Sequence, residues 1–257
     1  IALSIINRTG NSPNKVILGF MLATALMSMW ISNTASTVVM LPIALSVINL
    51  LINDADGFTK ADKNFSLSIM LGIAFSANAG GIATVIGTPP NSVLIGLLEN
   101  EYQTEISFLN WMVFGVPFSA ALLFIIYWVL VRWLFPSTGL QFHTSTTVIK
   151  DELRKLGKTS KKEKHVLLVF GLIVTLWVFR SLINSLIPGL DLSDAMISVF
   201  GALLLFAVPH DLRKGEFILY WNDTQKLAWG ILILFGGGLA LAKGMSSQEL
   251  LISLLFK

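Results

Sequence analysis

Long apolar runs alternate with short charged segments along this chain, and the lengths of the runs predict its elements. A helix needs roughly 20 apolar residues, each adding a rise of about 1.5 Å, to cross about 30 Å of hydrocarbon. On this basis the sequence predicts membrane-spanning helices in three runs, at 108–135, 166–186 and 227–242. A shorter run at 195–208 spans a membrane only with help from its flanks.

One further apolar region, 16–51, is interrupted in its middle by the polar segment Ser-Asn-Thr-Ala-Ser-Thr at 32–37. The arms on either side hold roughly 15 residues each, which is too short to cross a bilayer. Two short arms that meet at a polar tip are typical of a re-entrant structure. We therefore predict a re-entrant helical hairpin over about 13–51.

A second apolar region is interrupted by glycine and proline. Pro89 and Pro90 lack amide donors, and the residue before them, Thr88, is disfavoured in the α region. The sequence therefore predicts a discontinuous helix over about 65–98. One part lies before Gly87, an unwound turn follows, and a short helix begins at about Asn91.

Composition places the whole chain in a membrane. Of its 257 residues 54% are apolar and 13% are charged, about half the charged share of a soluble domain. The mean hydropathy is +0.74. No charge lies between Lys15 and Asp54, or between Lys63 and Glu99. Because a soluble domain needs more charge to cover its surface, we predict an all-α, polytopic integral membrane protein and exclude a nucleic-acid-binding module.

The basic residues collect in one loop, which predicts the orientation of the chain. The segment 137–165 is the most basic in the chain and carries Lys150, Arg154, Lys155, Lys158, Lys161, Lys162 and Lys164. Loops rich in Lys and Arg stay on the cytoplasmic side. We therefore predict a basic cytoplasmic loop at 137–165 and a multi-pass protein of the cell inner membrane.

The two interruptions are candidate binding elements. Irregular backbone deep in a membrane persists only against protein or a water-filled cavity, because an unpaired peptide group is costly in hydrocarbon. Secondary transporters use such broken helices at mid-depth, where helix N-termini face an anion and freed carbonyls coordinate Na⁺. Both interruptions here are free of charged residues, which suits this use.

Oxygen atoms near both interruptions suit a hard cation such as Na⁺. Ser28 lies one helical turn before Ser32, so we expect their hydroxyls to share a face. Asn33 adds an amide oxygen, and the break frees the carbonyl of Gly87. These four residues are the candidate cation ligands.

Helix starts at the same places suit an anion. We expect Asn33 and Thr34 to cap the returning arm of the hairpin, whose first amides then face the ligand. Thr88 and the amides after Pro90 have the same expected role at the second break. Because no Arg or Lys lies near the breaks, we expect a bound Na⁺ to neutralise the charge of a bound carboxylate. Binding of Na⁺ then favours binding of the carboxylate, and the reverse holds equally.

Other interpretations of these residues stay open. Ser and Thr in membrane helices often serve packing, as do small residues such as Gly72, Ala74, Ala77, Gly80 and Gly81. A channel also uses uncharged linings, although a hairpin together with a discontinuous helix favours alternating access. A membrane-embedded enzyme needs a nucleophile with a base, or paired acids. Neither interrupted region contains Asp, Glu, His, Lys or Arg, so an enzyme is not expected.

Two motifs carry a resemblance to a known family. They are Ser-Asn-Thr at 32–34, with Ser28 before it, and Gly-Gly-Ile-Ala-Thr-Val-Ile-Gly-Thr-Pro-Pro-Asn at 80–91. Both resemble the divalent anion/sodium symporter family, which contains sodium-coupled dicarboxylate, citrate and sulfate transporters. The resemblance implies two inverted repeats, each with a re-entrant hairpin and a broken helix, in a protein that works as a homodimer.

The resemblance also implies roles for individual residues. It implies a first sodium site formed by Ser28, Ser32, Asn33 and the Gly87 carbonyl. It implies substrate contacts from Asn33, Thr34, Thr88 and Pro89. The co-transported ion is then Na⁺, and the partners are a small anionic substrate, the lipid bilayer and a second copy of the protein.

Each motif occurs once in this chain, although inverted repeats imply two copies. We therefore expect the second set beyond Lys257, and a chain that forms half of an inverted-repeat transporter. The expected parts are a first-repeat transport core at 1–100, a spanning helix at 101–136, the basic loop at 137–165 and the truncated start of a second repeat at 166–257.

The sequence thus predicts a secondary active transporter that couples Na⁺ to the transport of small dicarboxylates such as succinate, malate or fumarate. Two alternatives share this architecture. One is a carrier of inorganic oxyanions such as sulfate or arsenite, and the other is a sodium-independent carboxylate exchanger.

Overall fold

Helices dominate the computed structural model, which describes residues 12–52, 57–137, 140, 160–187, 189–211, 216–227 and 229–246. The helices in these ranges are α1 (Pro13–Ser28), α2 (Asn33–Leu51), α3 (Lys60–Ile82), α4 (Pro89–Tyr102), α5 (Phe108–Trp128), α6 (Lys161–Leu186), α7 (Asp194–Ala207) and α8 (Trp229–Ser246). A π-helical segment (Val129–Leu134) extends α5, and a 3₁₀ helix (Trp221–Lys226) precedes α8. The predicted all-α class is confirmed.

The chain divides into two compact units. One consists of Ile1–Thr159 together with Leu172–Ile197, and the other of Ser160–Gly171 together with Ser198–Lys257. Both interrupted regions lie in the first unit, so the candidate site belongs to it alone.

α1 and α2 are the two arms of the region for which the sequence predicts a re-entrant helical hairpin. α1 has Pro13 in its first turn, where a helix needs no amide donor. Its inward side is fully buried at Ile17, Phe20 and Met21. α1 packs against α3 so closely that a Cβ on Gly80 would overlap the backbone of Ala25. The hairpin is therefore packed directly on the helix that leads to the second break.

α3 and α4 are the two parts of the predicted discontinuous helix. α3 begins with a capping box, in which Thr59 and Asp62 exchange hydrogen bonds, and ends at Ile82. The backbone is non-helical at 83–88, and α4 begins at Pro89. The second part thus starts two residues before the expected position, because proline fits the first turn of a helix.

Among the described residues, three helices are long and apolar enough to cross a membrane: Lys60–Ile82, Phe108–Leu134 and Lys161–Leu186. The last two correspond to the runs predicted at 108–135 and 166–186. α7 and α8 cover the other two predicted runs with 14 and 18 residues. Most of the predicted basic loop, at 138–139 and 141–159, lies outside the described residues.

The second unit contains a small β-hairpin that the sequence analysis did not predict. Strands β1 (Pro209–Asp211) and β2 (Glu216–Phe217) pair antiparallel directly after α7. The buried residue Ile218 follows β2, and its amide donates to the Val208 carbonyl at 3.4 Å. This hairpin is too small to change the fold class.

Candidate functional site

The hairpin turn lies directly against the second break. The Asn33 amide nitrogen donates to the side-chain oxygen of Asn78 on α3 at 3.0 Å. The Ser28 hydroxyl donates to the Asn33 side-chain oxygen at 2.8 Å. Gly81 makes this approach possible, because a Cβ at that position would overlap the Asn33 oxygen. We call residues 28–34 and 78–91 the junction.

A second contact joins the unwound segment to the hairpin turn. The buried Thr84 hydroxyl donates to the carbonyl of Met29 and accepts from the amide of Gly87, the latter at 3.1 Å. Residues 55 positions apart in sequence are thereby hydrogen-bonded. The hairpin turn and the unwound segment are therefore in direct contact.

The side chain of Asn91 replaces backbone hydrogen bonds that the break removes. Its amide nitrogen donates to the carbonyls of Gly81 at 2.9 Å and Thr84 at 2.8 Å. Asn91 is buried in the first turn of α4, whereas Gly81 lies in the last turn of α3. One side chain therefore connects the two halves of the discontinuous helix.

α5 supplies further donors to the end of α3. The Trp111 indole donates to the Ile82 carbonyl at 2.9 Å, and the Ser119 hydroxyl donates to the Ala79 carbonyl at 2.7 Å. Gly115 lies between these two on the same helix face, since all three are four residues apart. A Cβ on Gly115 would come within 2.9 Å of the Ile82 carbonyl oxygen. α5 is thus fitted closely to the break.

The carbonyl of Gly87 differs from its neighbours. Its two helical donor positions are lost, because Pro90 has no amide hydrogen and the Asn91 amide donates to the Thr88 carbonyl at 3.1 Å. Within the described part of the chain, no group donates a hydrogen bond to the Gly87 oxygen. Gly87 also packs against Gly81, the residue that contacts Asn33. This oxygen is therefore available to a cation.

Ser32 has a different place from the one expected. α1 ends at Ser28, so the two serines do not lie on successive turns of one helix. Ser32, and neither Asn33 nor Thr34, is the N-cap of α2, and its hydroxyl accepts from the Ala35 amide at 3.3 Å. The expected cap was wrong because the Asn33 side chain is engaged with α3.

The residues predicted to contact substrate lie at the starts of two helices. Thr34 is exposed in the first turn of α2, Thr88 immediately precedes α4, and Pro89 is the first residue of α4. Over the described ranges, the hydroxyls of Thr34 and Thr88 form no hydrogen bond with another side chain. They are free to accept a ligand.

Three junction residues were absent from the predicted set: Asn78, Thr84 and Asn91. A signal for Asn78 exists in the sequence, because an amide side chain inside an apolar membrane helix requires a polar partner. The identity of that partner depends on how the hairpin packs against α3. Sequence reasoning therefore located the two breaks and Asn33, but neither the partner of Asn33 on α3 nor the side chains that hold the unwound segment.

A charged cluster lies elsewhere in the first unit. Arg180 on α6 is hydrogen-bonded to Glu105, before α5, and its Nη1 lies 3.3 Å from the Asp194 carboxylate at the start of α7. The ring of Phe108 stacks on Trp177 with centroids 4.9 Å apart. These contacts attach α6 and α7 to the beginning of α5.

The junction itself carries no ionisable side chain. Its polarity comes from hydroxyls, amide side chains and exposed peptide groups. Two interrupted helices that meet at an uncharged polar junction inside an apolar helical protein have the construction of a secondary transporter. The fold and the site therefore define a helical membrane protein with two interrupted helices in contact at an uncharged junction.

The chain belongs to the family of the sodium:sulfate symporter transmembrane region, whose sequence profile matches residues 1–255. The resemblance inferred from the two motifs is thereby confirmed. A protein named sodium-dependent dicarboxylate transporter SdcS from Staphylococcus saprophyticus is 39% identical over 255 residues, which are 97% of this chain and 49% of that protein. A protein of the same name from Staphylococcus aureus is also 39% identical, over 259 residues. The chain spans about half the length of these curated relatives.

Proposed function

We propose that this chain carries the first-repeat part of the binding site of a secondary active transporter, and that this transporter couples Na⁺ to the movement of small dicarboxylates. The observation that carries the proposal is the contact between the hairpin turn and the unwound segment. This contact brings the Asn33 side chain and Gly87 against the same residue, Gly81. The names of the relatives, sodium-dependent dicarboxylate transporters, agree with it.

In this proposal Na⁺ is bound by neutral oxygens. The ligands are Ser28, Ser32, Asn33 and the carbonyl of Gly87. Ser28 is fully buried beside Asn33, and the Gly87 oxygen receives no hydrogen bond from the described residues. Ser32 joins this set when its hydroxyl oxygen, which accepts the Ala35 amide, uses its second lone pair.

The dicarboxylate binds beside the ion. Asn33, Thr34, Thr88 and Pro89 are the proposed contacts, and the amides at the starts of α2 and α4 add a favourable field for negative charge. Because the junction holds no cationic side chain, the bound Na⁺ supplies the positive charge. Binding of each ligand therefore favours binding of the other.

The proposed protein is longer than this chain. The first-repeat core occupies 1–100, a spanning helix 101–136, a cytoplasmic basic loop 137–165 and the start of a second repeat 166–257. The second repeat completes the site with its own motifs. The full-length protein is proposed to be a homodimer in the inner membrane of a bacterium, and to be a transporter rather than an enzyme.

Sulfate is the second candidate substrate, because the family description names sodium:sulfate symport. Hydroxyls and helix-terminal amides bind a sulfate as readily as a carboxylate. The two candidates differ in length, since a dicarboxylate carries two separated anionic groups and sulfate is one compact anion.

Uptake by proteoliposomes that contain the full-length protein tests this function. We expect labelled succinate to accumulate when external Na⁺ is present and not when K⁺ or choline replaces it. Excess unlabelled succinate should compete with the label, and sulfate should compete poorly. Uptake that is equal in all three cations would contradict sodium coupling, and strong competition by sulfate with none by succinate would favour the second candidate.

A further inference from the structure

Side chains supply donors to carbonyls at the end of α3 and in the unwound segment. The pairs, acceptor first, are Ala79 with Ser119, Gly81 with Asn91, Ile82 with Trp111, Thr84 with Asn91, and Val85 with Ser92. A helix end normally leaves its last carbonyls without partners inside the helix. In a membrane such carbonyls are costly, so these donors stabilise the break in one conformation.

Asn91 has the largest part in this arrangement. It is the donor to two of these carbonyls, one in the last turn of α3 and one in the unwound segment. Asn91 is 8% exposed, so water does not replace these bonds easily. Since its own backbone belongs to α4, Asn91 sets the separation between the end of α3 and the start of α4.

This separation determines where the Gly87 carbonyl lies. Gly87 is held from one side by Thr84, whose hydroxyl accepts its amide, and from the other by α4, which begins two residues later. Asn91 stabilises both of these contacts, because its side chain donates to the carbonyls of Thr84 and Gly81 while its backbone belongs to α4. The Gly87 oxygen itself receives no hydrogen bond from the described residues.

We propose that Asn91 is a positioning residue for the cation site. It fixes the unwound segment so that the Gly87 carbonyl stays unpaired and in place beside Gly81 and Asn33, and it does not bind the ion itself. This inference rests on the proposed function. It explains why one amide side chain spans the break, when a hydrophobic residue of the same size would fill the space equally well.

The test is the Na⁺ dependence of succinate uptake by the full-length protein with the substitution Asn91→Leu. Leucine has the same number and branching of side-chain heavy atoms but no donor. We expect the Na⁺ concentration for half-maximal uptake to rise about tenfold, the effect of losing two buried neutral hydrogen bonds. Maximal uptake per molecule in the membrane should change much less, because the ion and substrate contacts themselves remain.

Ser92→Ala is the matched control. Ser92 is the next residue and also donates to a carbonyl of the unwound segment, Val85, but it is exposed. We expect its Na⁺ dependence to equal that of the wild-type protein. An equal rise in both variants would overturn the assignment to Asn91, because any disturbance of α4 would then have the same effect.

Two outcomes separate this inference from the proposed function. If wild-type uptake does not depend on Na⁺, the proposed function fails. If wild-type uptake depends on Na⁺ but Asn91→Leu has the same half-saturating concentration and only a lower maximal rate, the positioning role is overturned. Should Asn91→Leu fail to reach the membrane, Asn91→Gln gives the same test, with an expected rise of about threefold because its donors are displaced; an unchanged value overturns the role.

Discussion

The hairpin turn and α3 meet at the side chain of Asn33. Its oxygen accepts from Ser28 and its nitrogen donates to Asn78, while Gly81 leaves room for it. For Na⁺ to bind both the Ser28 and Asn33 oxygens, the Ser28 hydroxyl hydrogen must turn away from Asn33. The two oxygens are thus already adjacent, and a single bond rotation prepares them for an ion.

Asn33→Ala should abolish uptake, because it removes a proposed ligand to both Na⁺ and substrate together with the hydrogen bond to Asn78. Expression in the membrane should be unchanged. The control is Thr37→Ala, one turn further along α2, which removes only a hydroxyl that donates to the Asn33 carbonyl within the helix. Labelled succinate uptake per molecule in the membrane measures both variants. Normal uptake by Asn33→Ala would contradict a binding role for the Ser-Asn-Thr motif and leave it a role in packing alone.

Gly81→Ala should also abolish uptake, although alanine is the better helix former. The added Cβ would overlap the Asn33 oxygen and push this side chain out of the junction. Gly96→Ala on α4 is the matched control, since a Cβ there meets no atom within 4 Å. Gly96→Ala should leave uptake unchanged and raise the free energy of unfolding by up to about 1 kcal/mol. Equal uptake by both variants would contradict the close packing at the junction.

At the scale of elements, the position of each break could be predicted from the sequence, but the side chains that hydrogen-bond to the backbone at each break could not. Pro89 and Pro90 dictate the end of a helix by their missing amides, so the break between α3 and α4 could be predicted locally. The N-cap of α2 could not, because Ser32 and Asn33 are both good caps and only packing against α3 engages Asn33 elsewhere. The Asn91 bonds likewise depend on how the chain returns after the turn.

Pro90→Ala tests the role of the proline break in keeping the Gly87 carbonyl free. The substitution gives residue 90 an amide hydrogen. In a 3₁₀ turn this amide would donate a hydrogen bond to the carbonyl of Gly87, three residues earlier. The Na⁺ concentration for half-maximal uptake should rise about threefold, because Na⁺ must then compete with one hydrogen bond for the Gly87 oxygen. An unchanged Na⁺ dependence in transport measurements would show that the Gly87 carbonyl is not a ligand.

At the scale of the whole molecule, the apolar runs and their lengths were enough to predict the helical class and two of its spanning helices. Long-range polar contacts were not predictable. The cluster of Arg180 with Glu105 and Asp194 joins residues up to 89 positions apart, and the positions of these charges in the sequence reveal no such pairing. The β-hairpin after α7 was missed because its strands are only three and two residues long.

Arg180→Met should lower the free energy of unfolding by about 2 kcal/mol, because it leaves the partly buried Asp194 carboxylate without its cation. The Arg180 side chain is 9% exposed and that of Asp194 28%. Glu105→Gln is the control, since this partner is 65% exposed and exposed pairs contribute little. Thermal unfolding of the purified full-length protein in detergent measures both, and equal melting temperatures for the two variants would contradict the stabilising role of the buried arginine.

The central claim is that Na⁺ and a dicarboxylate bind together at the uncharged junction. Calorimetric titration of succinate into the purified full-length protein tests it most directly, once in NaCl and once in choline chloride at equal ionic strength. Because the junction residues carry no cationic side chain and the ion supplies positive charge there, we expect Kd to be at least about tenfold lower in Na⁺, with this difference lost in Asn33→Ala. Equal Kd values in the two salts would contradict the account.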